Sequence, residues 1–325
     1  MVSLDDITLA ASRLRGIAAR TPLLLYPRQQ PGRELYLKPE NLQPIGSFKL
    51  RGAYNKIASL SDAERRRGVI SYSSGNHAQG VAYAARALGV KAVIVMPDNA
   101  PQIKIQSTRA FGAEIVFVGP ASSARKARAE DLAREHGYAI IPPYNDEKII
   151  AGAGTAGLEI LADLPDAGLI LVPVGGGGLL SGISSAVKLS GSPAKVVGVE
   201  PELASDAQAS YRSGRIVEIS ADQTSRTLAD GLRTQSVGEI NFDHIRLFVD
   251  DIVTVSESEI LAAIRTLALD AKLVAEPSGA VTLAAFLFRA GRLPPARNTV
   301  AVISGGNIDP ALLARVVAET AMAPK

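Results

Sequence analysis

Between Gly68 and Ile141, short runs of β-branched and apolar residues (GVIS, AVIVM, EIVFV and YAII) alternate with more polar stretches of helical length. The alternation of such runs with helices predicts a parallel sheet. After the first run, Ala78, Val81, Ala82, Ala85 and Leu88 fall at helical spacing, with Gly89 as the stop. A second helix is expected to open near Pro101 and end at Gly112. Farther along, LILVPV (Leu169 to Val174), KVVGV (Lys195 to Val199) and TVAVIS (Thr299 to Ser304) are separated by helical stretches and predict a second parallel sheet. SESE, Ser256 to Glu259, has capping-box spacing ahead of ILAAIRTLAL, which starts a helix there. The pattern predicts an α/β protein of two parallel-sheet domains, with residues 68–145 as the smaller and 1–67 plus 146–325 as the larger.

Composition narrows the class. Hydrophobic residues make up 47% and charged ones 21%, with 29 Gly and 19 Pro, which suits a loop-punctuated globular chain and argues against disorder. The formal net charge is only +3, and basic residues are interleaved with acidic ones, as in ARKARAEDLAREHG, so a solvated helix face is expected and nucleic acid is not indicated. The absence of cysteine removes disulfides, thiolate metal sites and thiol catalysis. The stretch MVSLDDITLAASRLRG lacks a basic-then-apolar signal, and no apolar run approaches the ~20 residues of a membrane span. A cytoplasmic protein with a small-molecule partner is the expectation.

Candidate chemistry begins in QPIGSFKLRGAYNKI, Gln43 to Ile57, where Lys49 follows a glycine, a serine and a phenylalanine. The stretch should be half buried, and a half-buried lysine is either paired or reactive. The plain alternative is a helix start capped by Ser47 with Lys49 solvated. Three glycine-bearing loops follow predicted strands, the place where α/β sheets bind ligands. The first carries Ser73, Ser74, Gly75, Asn76 and His77 at a helix start, an anion site with side-chain donors or merely a helix cap. The second carries Gly175, Gly176, Gly177 and Gly178, whose bare backbone suits a phosphate or only a tight packing turn. The third, SGGN from Ser304 to Asn307, offers a hydroxyl and bare backbone, or a simple strand-to-helix turn.

A dinucleotide fingerprint is the rival for the second loop: Gly176 and Gly178 have G-x-G spacing, and Glu200 ends the next strand. Its third glycine is missing, since Ser181 stands in place and Gly182 comes one later, and a nicotinamide dehydrogenase has no use for Lys49. The histidines, His77, His136 and His244, lack metal-ligand spacing, no G-x-S-x-G elbow occurs, and GGGG is not followed by lysine.

A lysine, a phosphate-cradling glycine loop and a carboxylate-binding serine loop are the parts needed to hold pyridoxal phosphate and an amino acid. From ENLQPIGSFKLRGA through SSGNHAQG, GGGGLLSG, VVGVEPE and DGLRT to EPSGA and SGGN, the chain resembles the fold-type II pyridoxal-phosphate enzymes, of tryptophan synthase β-like fold. Within them it resembles the serine/threonine dehydratase and serine racemase group, because Leu50 follows Lys49 where sulfhydrylases and threonine synthases of the fold tend to carry Asp-Arg. The resemblance implies that Lys49 forms a Schiff base with the cofactor and then removes the Cα proton. It implies that Phe48 and Gly231 bracket the ring, Asn76 bonds the 3-hydroxyl, Gly175 to Gly178 with Leu179 hold the phosphate, Ser304 faces the pyridine nitrogen, and Glu276 of EPSGA belongs to the cofactor site. Water would leave a 3-hydroxy amino acid to give aminoacrylate or its methyl homologue, and hydrolysis of that product would give a 2-oxo acid and ammonia.

Finer expectations also come from the resemblance. Residues Ser73 to His77 would bind the α-carboxylate, and Ser74 matches the opposite-face acid-base group of serine racemase. Arg125 matches an arginine that meets a second carboxylate in racemase-like relatives, so 3-hydroxyaspartate competes with threonine and serine as substrate. Glu200, the carbonyl of Ala204, and Asp206 match a Mg2+ or Ca2+ site. A homodimer is implied, and no appended regulatory domain is expected after SGGN. A non-catalytic pyridoxal-phosphate carrier is the alternative from another class, and intact Lys49 and Ser74 speak against it.

Overall fold

The computed structural model describes residues 1–28, 32–73, 75–100, 102–119 and 122–318. Ten strands occur among the described residues: β1 Leu24–Leu25, β2 Glu34–Pro39, β3 Val69–Tyr72, β4 Ala92–Pro97, β5 Glu114–Val118, β6 Ala139–Ile140, β7 Leu169–Pro173, β8 Lys195–Pro201, β9 Asp251–Val255 and β10 Asn298–Ile303. They form a six-stranded sheet in the order β1-β2-β10-β7-β8-β9 and a four-stranded sheet in the order β5-β4-β3-β6. Every pairing is parallel except that of β1 with β2.

The apolar runs become strands because both faces of each sheet are covered. Along β7, Leu169 and Leu171 enter one core cluster while Ile170 and Val172 enter the cluster on the other face. Strands β8 and β10 repeat this, with Val197, Val199, Ala301 and Ile303 on the first side and Val196, Val300 and Val302 on the second. In the smaller sheet, Val69, Ile94 and Met96 face one core, and Ile70, Val93 and Val95 the other. Helix Gln102–Ala110 is slightly shorter than expected, YAII shortens to a two-residue β6, and the capping box on Ser256 and Glu259 starts helix Glu257–Thr266. Strands β2 and β9 were not among the expected strands, although IVTV in β9 is a β-branched run like the others. In β2, ELYLKP, a fully buried lysine breaks the apolar pattern.

That lysine, Lys38, belongs to a buried charge network. Its Nζ donates to Glu159 and to the Thr21 carbonyl, both at 2.6 Å. Glu159 also accepts from Arg51, whose guanidinium meets both Glu40 oxygens at 2.7 and 2.8 Å. Arg51 stands in helix Lys49–Ala58, so this network fixes the helix that Lys49 begins.

Both sheets reverse their order once. In the larger sheet the chain runs outward through β7, β8 and β9, and β10 returns on the other side of β7. In the smaller it runs through β3, β4 and β5, and β6 returns beside β3. The crevices at such reversals are where open α/β sheets take ligands. Here the loops concerned are residues 174–178 and 304–307 from one sheet, and Ser73, Gly75 and residues 141–144 from the other.

Candidate active site

Lys49 is the first residue of helix Lys49–Ala58, and Ser47 does not cap it. Phe48 takes the N-cap position without a side-chain bond. Ser47 is fully buried, bridges to Gly305, and finds no hydroxyl partner among the described residues. The solvated-lysine alternative fails with the cap. Lys49 Nζ donates to the Pro143 carbonyl at 2.7 Å and lies 5.2 Å from the centre of the Phe48 ring. Burial lowers its pKa to about 8, because removing water penalises the ammonium form.

A closed circuit of contacts runs from this amine through the other loops. Tyr144, next to Pro143, lies against the tetraglycine turn: a Cβ on Gly176 would meet its ring at 2.3 Å. Gly177 has φ +98° and is the N-cap of helix Gly178–Leu189, with no side chain closing that end. Its first-turn N-H groups have no intrahelical partner and suit a phosphate dianion. A Cβ on Gly175 would come within 3.4 Å of the Gly231 carbonyl, and Gly231 N donates to Ser278 Oγ at 2.9 Å. Ser304 Oγ donates to the Ser278 carbonyl at 3.4 Å, and Phe48 N donates to the Ser304 carbonyl at 3.0 Å, which closes the circuit beside Lys49. Leu179 is buried beneath the glycine turn in the core.

Asn76 begins helix Asn76–Ala87 and donates from Nδ2 to Glu276 Oε1 at 2.6 Å. Burial, and secondarily the charge of Asp230, raise Glu276 to about 7. In the same loop Gly75 N donates to Ser73 Oγ at 3.3 Å. Ser74 lies outside the described residues. His77 is buried, with Nε2 3.0 Å from the Ile141 carbonyl and Nδ1 unpartnered among the described residues. The carbonyl can only accept, so Nε2 carries the proton. Burial, then the nearby Lys49 charge, push its pKa down to about 3, so the ring stays neutral. Any carboxylate grip from His77 therefore falls to its backbone N-H. Arg125 is half buried in the first turn of helix Ser122–His136, which packs on β3 and β4, and desolvation lowers its pKa from the ordinary arginine value.

Glu200, Ala204 and Asp206 come together where β8 turns into helix Asp206–Ser213. Glu200 is wholly buried and accepts from Ala207 N at 3.2 Å and Gln208 N at 2.8 Å. This employment takes away the ribose-binding acid of the dinucleotide alternative. Asp206 is also fully buried, and neither of its carboxylate oxygens has a partner among the described residues. Burial raises Asp206 to about 7, and burial with the Asp206 charge raises Glu200 well above the ordinary carboxylate value. No group of three or more His, Asp or Glu ligands occurs among the described residues.

Sequence reasoning passed over Pro143 and Tyr144 and gave no role to Ser278 or Asn307. Ser278 stood inside EPSGA, but nothing in that motif marks its hydroxyl as the link between Gly231 and Ser304. Pro143 and Tyr144 follow a two-residue strand that carries almost no pattern of its own.

Residues 14–305 match the family model described as pyridoxal-phosphate dependent enzyme. The chain is 45% identical over 320 residues to an L-threonine ammonia-lyase of Thermotoga maritima, covering 98% of this chain and 78% of that protein. It is 42% identical to an L-threo-3-hydroxyaspartate ammonia-lyase of Saccharomyces cerevisiae, covering 94% of this chain and 93% of the other. The solved structure of maize serine racemase is similar, with a TM-score of 0.92 and 33% identity over 97% of this chain and 96% of that one.

Proposed function

Because the chain belongs to the family of pyridoxal-phosphate dependent enzymes, we propose that it is an ammonia-lyase converting an L-3-hydroxy amino acid of the threonine and serine type to a 2-oxo acid and ammonia. The observation that carries the reading is the half-buried Lys49 amine, which rests on the Pro143 carbonyl inside a circuit that includes the glycine turn, with its pKa lowered to about 8. Bound pyridoxal phosphate supplies an electron sink that acidifies the Cα proton of an attached amino acid.

The residues suit that group. A low-pKa amine, an uncapped helix start of bare glycines, an amide at Asn76 and a hydroxyl at Ser304 match, respectively, its aldehyde, phosphate, 3-oxygen and ring nitrogen. Phe48 and Gly231 would flank the ring, and Leu179 would complete the phosphate turn. Glu276 holds the Asn76 amide in place. The loop of Ser73 to His77 would take the α-carboxylate through its N-H groups and the Ser73 hydroxyl, and the free Lys49 amine would take the Cα proton. To Ser74, which lies outside the described residues, we give by resemblance the role of opposite-face acid-base group, which would permit slow racemisation. Ser304 offers a neutral hydroxyl where a carboxylate would keep the ring nitrogen charged, which favours loss of the β-hydroxyl over transamination. Borohydride treatment of the holoenzyme should fix the cofactor on Lys49, and L-threonine should yield 2-oxo acid in wild type but not in Lys49→Ala. Label on Lys56, or no visible absorbance, refutes the assignment.

Arg125 favours a second substrate reading, since a half-buried arginine can meet a second carboxylate. A preference for 3-hydroxyaspartate over threonine that is lost in Arg125→Leu would establish it. Glu200, the Ala204 carbonyl and Asp206 suit a divalent cation, Mg2+ or Ca2+, because the orphaned Asp206 oxygens need a positive partner. Among the described residues no helix is long and apolar enough to cross a membrane. We read the protein as a cytoplasmic homodimer, with residues 68–145 as the smaller domain; sedimentation and limited proteolysis test the assembly and the boundary.

A further inference from the structure

The glycine turn after β10 ends in Asn307, to which the cofactor reading gives no task. Its Nδ2 donates to the Ile45 carbonyl at 2.9 Å and to Asn76 Oδ1 at 2.7 Å. A main-chain carbonyl can only accept, so it dictates which end of the Asn307 amide faces it. The polarity then passes along the chain: Asn307 Nδ2 claims Asn76 Oδ1, and Asn76 Nδ2 is turned to Glu276. Glu276 cannot set this direction alone, because a carboxyl near neutrality is able to accept or to donate. An amide nitrogen carries two hydrogens, and Glu276 uses one. The second remains for a ligand.

We propose that Asn307 is a positioning residue that fixes the Asn76 amide with its nitrogen toward the 3-oxygen of the cofactor, Glu276 acting as the stop at the far end. This rests on the reading of Asn76 as a ring ligand. The packing around the chain supports it. A Cβ on Gly46, which has φ +72°, would lie 2.4 Å from Asn307 Oδ1, and one on Gly305 would lie 2.3 Å from Glu276 Oε1. Gly306 N donates to the Gly46 carbonyl at 2.9 Å, lacing the turn that carries Asn307 to the turn that precedes Lys49. The close packing holds the two amides against each other, and the hydrogen bonds choose which end of each faces which.

The test is Asn307→Asp, which keeps the shape but can only accept, so it pulls Asn76 Nδ2 away from the cofactor. Apoenzyme prepared by dialysis is titrated with pyridoxal phosphate, and the visible band of the lysine-bound cofactor is followed against pH. The Kd should rise about tenfold. The pH midpoint of the band should rise by about one unit, because the 3-oxygen anion loses a donor. Asn307→Ala, which keeps the assay usable if the Asp variant does not fold, should shift both in the same direction by less. In an Asn76→Ala background neither substitution should move the midpoint. Wild-type midpoint and Kd in the Asp and Ala variants overturn the proposal, as does an equal shift in the Asn76→Ala background, which would mean a merely structural role. A wild-type protein without a lysine-linked band overturns the cofactor reading first and this inference with it.

Discussion

Glu40→Gln tests how the lysine helix is held. Glu40 and Arg51 are 0% and 1% exposed at their side chains, and the pair is bidentate at 2.7 and 2.8 Å. With Lys38 and Glu159 they form a network of two cations and two anions, so the substitution leaves one unbalanced positive charge in the interior. Removing one partner of a buried pair costs about 3–5 kcal/mol. Arg51 keeps its two bonds to Glu159, so the lower end, about 3 kcal/mol, is expected. The exposed pair of Asp62 and Arg65 is the control, and breaking it should cost less than about 1 kcal/mol. Equilibrium urea unfolding measures both. Adding Arg51→Met to Glu40→Gln should recover part of the loss, since it removes the stranded charge. The pH dependence has a definite sign. Burial pushes the Glu40 pKa up, but the charge and hydrogen bonds of Arg51 outweigh it, so the folded value lies below the ordinary 4.5. The stabilisation is thus complete above that ordinary value and is lost as pH falls through the folded one, so the gap between wild type and variant should close in acid. A cost near that of the surface pair, or a gap independent of pH, refutes the account.

Lys49 at about 8 against an ordinary 10.5 means that the apoenzyme amine is mostly free above about pH 8, so the rate of cofactor attachment should rise with pH to that point and then level off. Stopped-flow absorbance checks it, and a rate flat across the range contradicts it. Chelation should lower the melting temperature of wild type but leave Asp206→Asn unmoved, because the orphaned carboxylate is what needs the cation. An equal response in both proteins removes the site. Lys104 pairs with Asp230 beside Gly231, and both side chains are partly exposed. Lys104→Met should cost less than about 1 kcal/mol in stability yet raise KM for the amino acid; an unchanged KM refutes a role in bringing the two sheets together.

The large-sheet strands β7, β8 and β10 were legible because being covered on both faces demands uninterrupted apolar runs, and the three glycine loops were legible because each breaks such a run. Strand β2 was hidden by Lys38, whose charge is neutralised by Glu159, 121 residues away. No local pattern records a partner at that distance. Tyr144 and Asn307 were hidden for a related reason. Each acts by touching a loop from a distant part of the chain, Tyr144 against Gly176 and Asn307 against Gly46 and Asn76. Motifs mark where bare backbone is needed, but the side chain that fills the adjoining space is visible only once the turns are stacked.

The stacking also assigns separate work to the two sheets. The loops suited to the phosphate and ring nitrogen leave the reversal of the larger sheet, whereas the loop suited to the amino-acid carboxylate leaves the reversal of the smaller one. Asn76 stands at the join: it begins a helix of the smaller sheet, yet both its side-chain partners, Glu276 and Asn307, come from the larger. Lys49 ties the two in the opposite sense, since its helix is pinned by Arg51 to Glu40 and Glu159 while its amine rests on the Pro143 carbonyl after β6. If Lys49 holds the cofactor as proposed, its amine would give up that bond to Pro143. The Asn76 amide would then remain as a hydrogen-bonded link between the loop after β3 and the loops of the larger sheet. On the proposed reading, the direction of a single amide would bear on cofactor and substrate together.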